Sequence, residues 1–335
     1  MSDTASELNY QRTDFVSSAE QKWCPACGLY PILKGVTNTF KDLGIRKENF
    51  ALISGIGCSS RFPYYVDTYG FHTIHGRAPA LATGLELMRP DLSVWIVSGD
   101  GDCLSIGGNH FIHTMRRNPN VNYLLMNNEI YGLTKGQTSP TSKKGVISKT
   151  TPYGHIDPPM AALPLAIAAG ATFVARVLDA DLKAMKEVFT AAHQHKGTSF
   201  VEVYFNCITF ADKVFENYAS KKQRPVHTVE AVAGQPLVFG ENNELGIRQK
   251  GFGLEVVEYE KEGLQKEDLV IHDPTDKDLA MLLTKLDQPV ALGILRQVEQ
   301  PSFGDLVREQ NQTVIDKKGP GDLAKLLKGN DYWTV

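Results

Sequence analysis

From Phe50 to Tyr204 the chain alternates short apolar runs with stretches whose apolar positions recur every three or four residues. The short runs predict strands at 50–56, 93–98, 122–127, 171–177 and 199–204. The longer-period stretches predict helices at 78–88, 107–117, 159–169 and 181–195. Such alternation predicts an α/β fold: a parallel sheet with helices on both faces. One uncharged stretch, Met160 to Ala175, is shorter than the ~20 residues a membrane span needs. It also contains Pro164 and Gly170, and reads as a buried helix running into a strand. No internal repeat or low-complexity tract interrupts the pattern. Beyond about Thr209 the pattern weakens, with a basic loop from Ser220 to Pro225 and charged sequence from Gly240 to Val335. The expected organisation is an N-terminal segment (1–49), an α/β domain (50–210) and a C-terminal extension (211–335). That extension is expected to pack on the main domain or on a partner.

Polar and cysteine residues gather just after the predicted strands. Gly57-Cys58-Ser59-Ser60, Gly99-Asp100-Gly101-Asp102, Asn127-Asn128-Glu129 and Asn206-Cys207 each follow one. In open α/β sheets ligands bind outside the carboxyl ends of the strands, so these clusters are expected on one rim.

Composition narrows the partners. With 335 residues, 42% hydrophobic and 22% charged, the chain can build a sizeable core. A net charge of −3 argues against a nucleic-acid partner. The polar stretch Met1 to Phe15 lacks the pattern of a secretory leader, and neither a leader nor a membrane span is expected. Five cysteines, an odd number, suit a reducing cytoplasm and not a disulfide framework.

The glycines of Gly99-Asp100-Gly101-Asp102 allow backbone to approach a phosphate, and aspartate is a hard ligand suited to Mg²⁺. One strand–helix–strand unit separates Asp100 from Asn128, which returns the chain to the same rim. Together they predict a two-sided clamp for Mg²⁺ on a diphosphate, although either motif alone could be only a turn. Gly55-Ile56-Gly57 is a partial nicotinamide fingerprint; Ser60 stands where the third glycine belongs, which weakens it. Cys24, Cys27, Cys58 and Cys207 could form a [4Fe–4S] cluster or a tetrathiolate zinc site, and residue types alone leave both open. A thioredoxin-like dithiol at Cys24-Pro25-Ala26-Cys27 is disfavoured, because no strand is predicted before it. Cys103 reads as a small buried residue.

GDGD at 99–102 and NNEIYGLTKGQTSPT at 127–141 resemble the diphosphate-binding motif of thiamine-diphosphate enzymes. They are most similar to the β subunits of 2-oxoacid:ferredoxin oxidoreductases. WCPACG at 23–28, GIGCSSRFPYY at 55–65 and IHGRAPALATGLELMRPDL at 74–92 match the same family. The resemblance covers roughly residues 20 to 210. It departs at Ala26, where the family often has glycine; a methyl group there is expected to matter little.

The resemblance implies roles. Asp100 and Asn128 would bind Mg²⁺ through side chains, and Ile130 through its carbonyl. Backbone of Gly101, Asp102, Gly132 and Leu133 would hold the diphosphate, while Ile56, Gly57, Cys58 and Ser59 line the cofactor. His75 would reach the cofactor or the reacting carbon. An oxidative thiamine reaction needs a nearby electron acceptor, which favours a [4Fe–4S] cluster on Cys24, Cys27, Cys58 and Cys207 over redox-inert zinc. The implied activity is oxidative decarboxylation of a 2-oxoacid with coenzyme A, and ferredoxin collects the electrons. Only diphosphate-side motifs are present, so an α subunit is implied, in an (αβ)₂ assembly. The overall likeness is greatest to the 2-oxoglutarate members. Arg61 and Lys135 could hold that substrate's distal carboxylate, a charge-assisted contact contributing about 1.5–3 kcal/mol. Specificity for pyruvate or many 2-oxoacids is the alternative. Less favoured are a non-redox thiamine enzyme with zinc and a non-catalytic metal-binding scaffold.

Overall fold

The computed structural model describes residues 8–333; residues 1–7, part of the polar stretch read as leaderless, and 334–335 lie outside the described residues. The strands in chain order begin with β1 (Phe50–Ser54), β2 (Tyr69–His72), β3 (Ser93–Gly99) and β4 (Asn122–Asn127). A two-residue hairpin follows, β5 (Ile130–Tyr131) with β6 (Gln137–Thr138), then β7 (Phe173–Leu178) and β8 (Ser199–Tyr204). Beyond these come β9 (Thr228–Ala231), β10 (Val238–Phe239), β11 (Leu245–Lys250), β12 (Gly253–Val257) and β13 (Val290–Gln297). Eight strands form the main sheet in the order β2-β1-β3-β4-β8-β7-β13-β9. All its neighbours are parallel except β13, which runs antiparallel to β7.

The strands of the centre read as unbroken apolar runs because both of their faces are covered. On one face Ile53, Ile96, Leu125 and Phe200 pack with Ala82, Phe111 and Ile167. These come from α3 (Ala78–Met88), α5 (Gly108–Arg117) and α6 (Ala162–Ala168), numbered after α1 (Leu29–Asp42), α2 (Phe62–Tyr65) and α4 (Asp100–Leu104). On the other face the adjoining residues Leu52, Trp95, Leu124 and Val201 meet Phe40 of α1 and Phe189 of α7 (Leu182–Gln194). Neighbours in sequence thus go to opposite cores, the period of two that a pleated strand imposes.

The uncharged stretch from Met160 to Ala175 is α6 running towards β7, and α6 is buried along Ala162, Leu163, Ala166 and Ile167. No helix among the described residues is long and apolar enough to cross a membrane.

Two features differ from the pattern read above. First, Leu29–Asp42 is a helix, although none was expected before Phe50. Its buried residues Leu29, Ile32, Leu33, Val36 and Phe40 follow helical spacing despite Pro31 and Gly35. Pro31 is tolerated because it sits in the first turn, where its missing N–H has no partner to lose. Second, the weakly patterned C-terminal region contributes β13 and β9 to the main sheet. Val229, Ala231, Ala291 and Leu295 there belong to the same core as Phe111 and Phe200. Short helices α8 (Glu216–Ala219), α9 (Arg224–His227) and α10 (Lys277–Leu283) accompany these strands, and α11 (Phe303–Lys318) and α12 (Leu323–Lys328) end the described chain.

The pairing aligns the carboxyl ends that carry the motifs. Ser54 lies beside Val97, Gly99 beside Met126, and Asn127 beside Tyr204.

Candidate active site

At that rim a cavity of about 390 Å³ is lined by Ile56, Gly57, Cys58 and Ser59 after β1, and by Gly99, Asp100, Gly101 and Asp102 after β3. Asn128, Ile130, Gly132 and Leu133 after β4 complete it with His75. The residues expected around the cofactor therefore converge. A roomier cavity of about 890 Å³ opens near the amino ends of β3 and β4, with none of these motifs in its wall.

Asp100 is almost fully buried. Its Oδ2 accepts hydrogen bonds from Ser139 (2.5 Å) and Thr141 (2.6 Å). Burial pushes its carboxyl up to about 6, against the pull of those two hydroxyls. A desolvated carboxylate facing a cavity beside Asn128 is the setting a hard divalent cation would stabilise. Asn128 is 6% exposed and its Oδ1 accepts from Ile130 N–H at 3.3 Å. Glu129 between them takes a left-handed backbone with φ of 56°, so the chain turns sharply there and both flanking residues reach the cavity wall. Gly101 has no room for a side chain: a Cβ would fall 2.0 Å from the Tyr131 ring, whose hydroxyl donates to Gly101 O.

Asp102, expected to contribute backbone, makes its observed contacts through its side chain. Its Oδ1 accepts from Ile56 N–H (3.0 Å) and Gly76 N–H (2.8 Å), and its Oδ2 accepts from Ser98. One buried carboxylate thus ties the ends of β1 and β3 to the Ile74-His75-Gly76 turn. His75 Nδ1 stands 2.7 Å from Asp102 Oδ1, within ion-pair reach but outside hydrogen-bond alignment.

A second cavity, about 190 Å³, adjoins the first, and Cys24, Cys27, Cys58 and Cys207 all line it. Cys58, Asn128, Gly132, Leu133 and Phe205 border both cavities. Gly132 brings bare backbone close to two of the cysteines. A Cβ placed on it would lie 3.5 Å from Cys207 Sγ, 3.8 Å from Cys58 Sγ and 3.9 Å from Asn128 Nδ2. Burial pushes the Cys27 thiol up to about 12, and the neighbouring Cys207, Cys58 and Cys24 add to the rise. Cys58 also rises, first through burial and then through Cys207, while Arg61 opposes it. Clustered thiols that resist ionisation alone suit an electron-poor metal centre, which displaces their protons. Among the described residues no three His, Cys, Asp or Glu side chains converge tightly enough for a single metal ion. Cys103 is fully buried and accepts from the Tyr123 hydroxyl, away from the other four.

Arg61 and Lys135 line the cysteine cavity and not the first one. Arg61 Nη1 donates to Lys22 O at 3.4 Å. Ala26, where the resemblance prefers glycine, has φ of 60°, so its methyl group carries backbone strain of roughly 1–2 kcal/mol. The expectation that this methyl matters little is corrected on that ground.

Several residues that brace or line the two cavities escaped the sequence reading. Ser139 and Thr141 lay in plain sight in the hydroxyl-rich Thr138-Ser139-Pro140-Thr141-Ser142. Trp23 holds two cysteine loops together, donating its Nε1–H to Cys58 O at 2.7 Å. Its ring packs on Tyr30, Phe62 and Tyr65. No local signal marks Phe205 as part of both cavities.

Residues 55–203 match the family model "Thiamine pyrophosphate enzyme, C-terminal TPP binding domain". The chain is 49% identical to "2-oxoglutarate oxidoreductase subunit KorB" of Mycobacterium tuberculosis, covering 96% of this chain and 88% of that protein. It is 41% identical to "2-oxoglutarate synthase subunit KorB" of Archaeoglobus fulgidus, over 61% of this chain and 75% of that one. Among solved structures it is similar to a 2-oxoglutarate:ferredoxin oxidoreductase from Magnetococcus marinus, described with 2-oxoglutarate, coenzyme A and succinyl-CoA bound. That match has a TM-score of 0.78 and 34% identity, and covers 98% of each chain.

Proposed function

The chain belongs to the β subunits of 2-oxoacid:ferredoxin oxidoreductases, and on that footing we propose that it oxidises 2-oxoglutarate with coenzyme A to succinyl-CoA and CO₂. It does so with an α subunit in an (αβ)₂ assembly, in a cytoplasmic setting, and hands electrons to ferredoxin. The observation that carries this reading is the shared wall of Cys58, Asn128, Gly132, Leu133 and Phe205, which sets a diphosphate-type cavity against a four-cysteine cavity.

Asp100 and Asn128 would hold Mg²⁺ through their side chains, and Ile130 would hold it through its carbonyl. Backbone of Gly101, Asp102, Gly132 and Leu133 holds the diphosphate, and Ile56, Gly57, Cys58 and Ser59 flank the rings. The buried, hydroxyl-bonded carboxylate of Asp100 fits this role, because a cation beside it restores the ionised form that burial disfavours. Bound there, thiamine diphosphate would supply a nucleophilic carbon and an electron sink for decarboxylation of a 2-oxoacid. His75 faces the same cavity and orients the substrate's polar groups, with its imidazole next to Asp102.

Cys24, Cys27, Cys58 and Cys207 would hold a [4Fe–4S] cluster, which would supply one-electron acceptance. Support over zinc comes from the chemistry. A thiamine-dependent oxidation needs an electron acceptor beside the cofactor, and the four cysteines line the cavity that adjoins the thiamine-side one, whereas zinc has no redox chemistry. Arg61 and Lys135 line the cysteine cavity and not the thiamine-side one, so their proposed hold on the distal carboxylate of 2-oxoglutarate requires the substrate to reach across the shared wall.

The test is anaerobic reduction of a viologen dye by the co-expressed α and β chains, dependent on coenzyme A, with 2-oxoglutarate compared against pyruvate. A strong preference for 2-oxoglutarate supports the assignment, and a preference for pyruvate rejects the substrate while keeping the chemistry. Replacing Arg61 by Leu is expected to raise KM for 2-oxoglutarate by about 10- to 100-fold, as loss of a charge-assisted bond implies. An equal rise for pyruvate removes Arg61 from substrate recognition.

A further inference from the structure

Asp179 lies outside both cavities, yet it touches the loops that carry two of the cysteines. It follows β7 directly and is 9% exposed. Its backbone N–H donates to Tyr204 O at 2.9 Å, which holds it level with the end of β8. Its Oδ2 accepts from Asn206 N–H at 3.1 Å, one residue before Cys207. Across the same spot, Gly28 N–H donates to Asn206 O at 3.2 Å, one residue after Cys27. The fit is close: a Cβ on Gly28 would come 2.1 Å from Asp179 Oδ2 and 3.0 Å from Asn206 N.

Burial raises the Asp179 carboxyl to about 6, and its lowering contacts are the backbone groups of Asn206 and Ala180. Placing a carboxylate in such a site is costly, and a Leu of similar size would avoid that cost. It lines neither of the two cavities described above, and no substrate role follows from its position. What it does hold is the relative placement of Gly28 and Asn206. Those residues carry Cys27 and Cys207, from segments far apart in sequence.

We propose that Asp179 is a positioning residue for the iron–sulfur cluster, locking the Cys207 loop against the Cys24–Cys27 loop through Asn206 N–H and the bare Cα of Gly28. The inference rests on the cluster reading of the four cysteines. It differs from that reading in assigning the geometry to a residue that ligates nothing. Trp23 serves the complementary junction, between the Cys24–Cys27 loop and Cys58.

The experiment uses the co-expressed αβ enzyme purified anaerobically. Iron per β chain, the electron paramagnetic resonance spectrum of the reduced cluster and thiamine-diphosphate binding are measured for wild type, D179N, D179L and G28A. D179N keeps an acceptor for Asn206 N–H and is expected to retain iron and the wild-type spectrum. D179L and G28A are expected to lose at least half of the iron, or to show altered g-values, while binding thiamine diphosphate normally. Wild-type iron and spectra in both D179L and G28A would overturn the proposal. So would D179N losing as much iron as D179L, since the acceptor would then not matter. Should D179L fail to fold, G28A alone decides in the same two directions. Wild-type enzyme that holds zinc or no iron sinks the cluster reading instead, which separates the two failures.

Discussion

The thiamine-side cavity takes nearly all its polar groups from residues within a few positions of three adjacent strand ends. The cysteine cavity draws instead on a loop before the first strand, the turn after β1 and the loop after β8. The first is placed by the sheet itself, because the paired ends of β1, β3 and β4 fix Ile56, Asp100 and Asn128 relative to one another. The second is placed by loop-to-loop contacts, at Trp23 with Cys58 O and at Gly28 with Asn206 and Asp179. Loops held by few contacts open at lower free-energy cost than core strands. The cysteine site is therefore the more fragile of the two, and should fail without taking the thiamine site with it.

The largest effect expected is from Asp100→Ala. Outer-shell partners of a metal contribute about 10–100-fold in affinity or activity, and removing the ligand itself should exceed that. Calorimetry with Mg²⁺ and thiamine diphosphate should then detect no binding at concentrations that saturate wild type, while iron content stays normal. Cys207→Ala is the reciprocal break: iron falls and dye reduction ceases, but calorimetry still records cofactor binding. If either substitution emptied both sites, the independence argued here would be wrong.

Thr141→Val comes next. It keeps the shape and removes one of the two hydroxyls donating to Asp100 Oδ2. The expected loss in Mg²⁺ affinity is about 10–100-fold, read from the Mg²⁺ dependence of the rate, with the cluster spectrum unchanged. The smallest effect is Ala26→Gly, which relieves the positive φ in the Cys24–Cys27 loop by up to about 1 kcal/mol. Slower iron release in air is the sign to look for; faster release would mean that the methyl group packs usefully there.

The same contrast explains what the sequence made legible. Continuous apolar runs at β3, β4 and β8 stand almost where the pattern put them, because burial on both faces leaves a strong signal. Motifs at those strand ends inherit the same certainty of place, which is why Asp100 and Asn128 could be brought to one rim from spacing, while Gly132 came only with the family resemblance. Tertiary contacts at long sequence separation left no such trace. Asp179 reads as an ordinary residue after a strand, and only the fold brings it to Gly28 and Asn206. Arg61 and Lys135 are near the rim as expected, but which cavity they face depends on loop geometry that no periodicity encodes. Strand β13 was missed for a different reason: its neighbours in the sheet are far away in sequence, and the charged segment preceding it obscures the apolar run.

The central claim is that electrons leave the thiamine-side cavity through the four-cysteine site next to it. Its most direct test is to add 2-oxoglutarate to the oxidised αβ enzyme anaerobically and follow both CO₂ release and the paramagnetic signal of the reduced cluster. The account predicts that the signal rises with CO₂ release in wild type and is missing from Cys207→Ala. Release of CO₂ at the wild-type rate with the wild-type cluster still oxidised would contradict it.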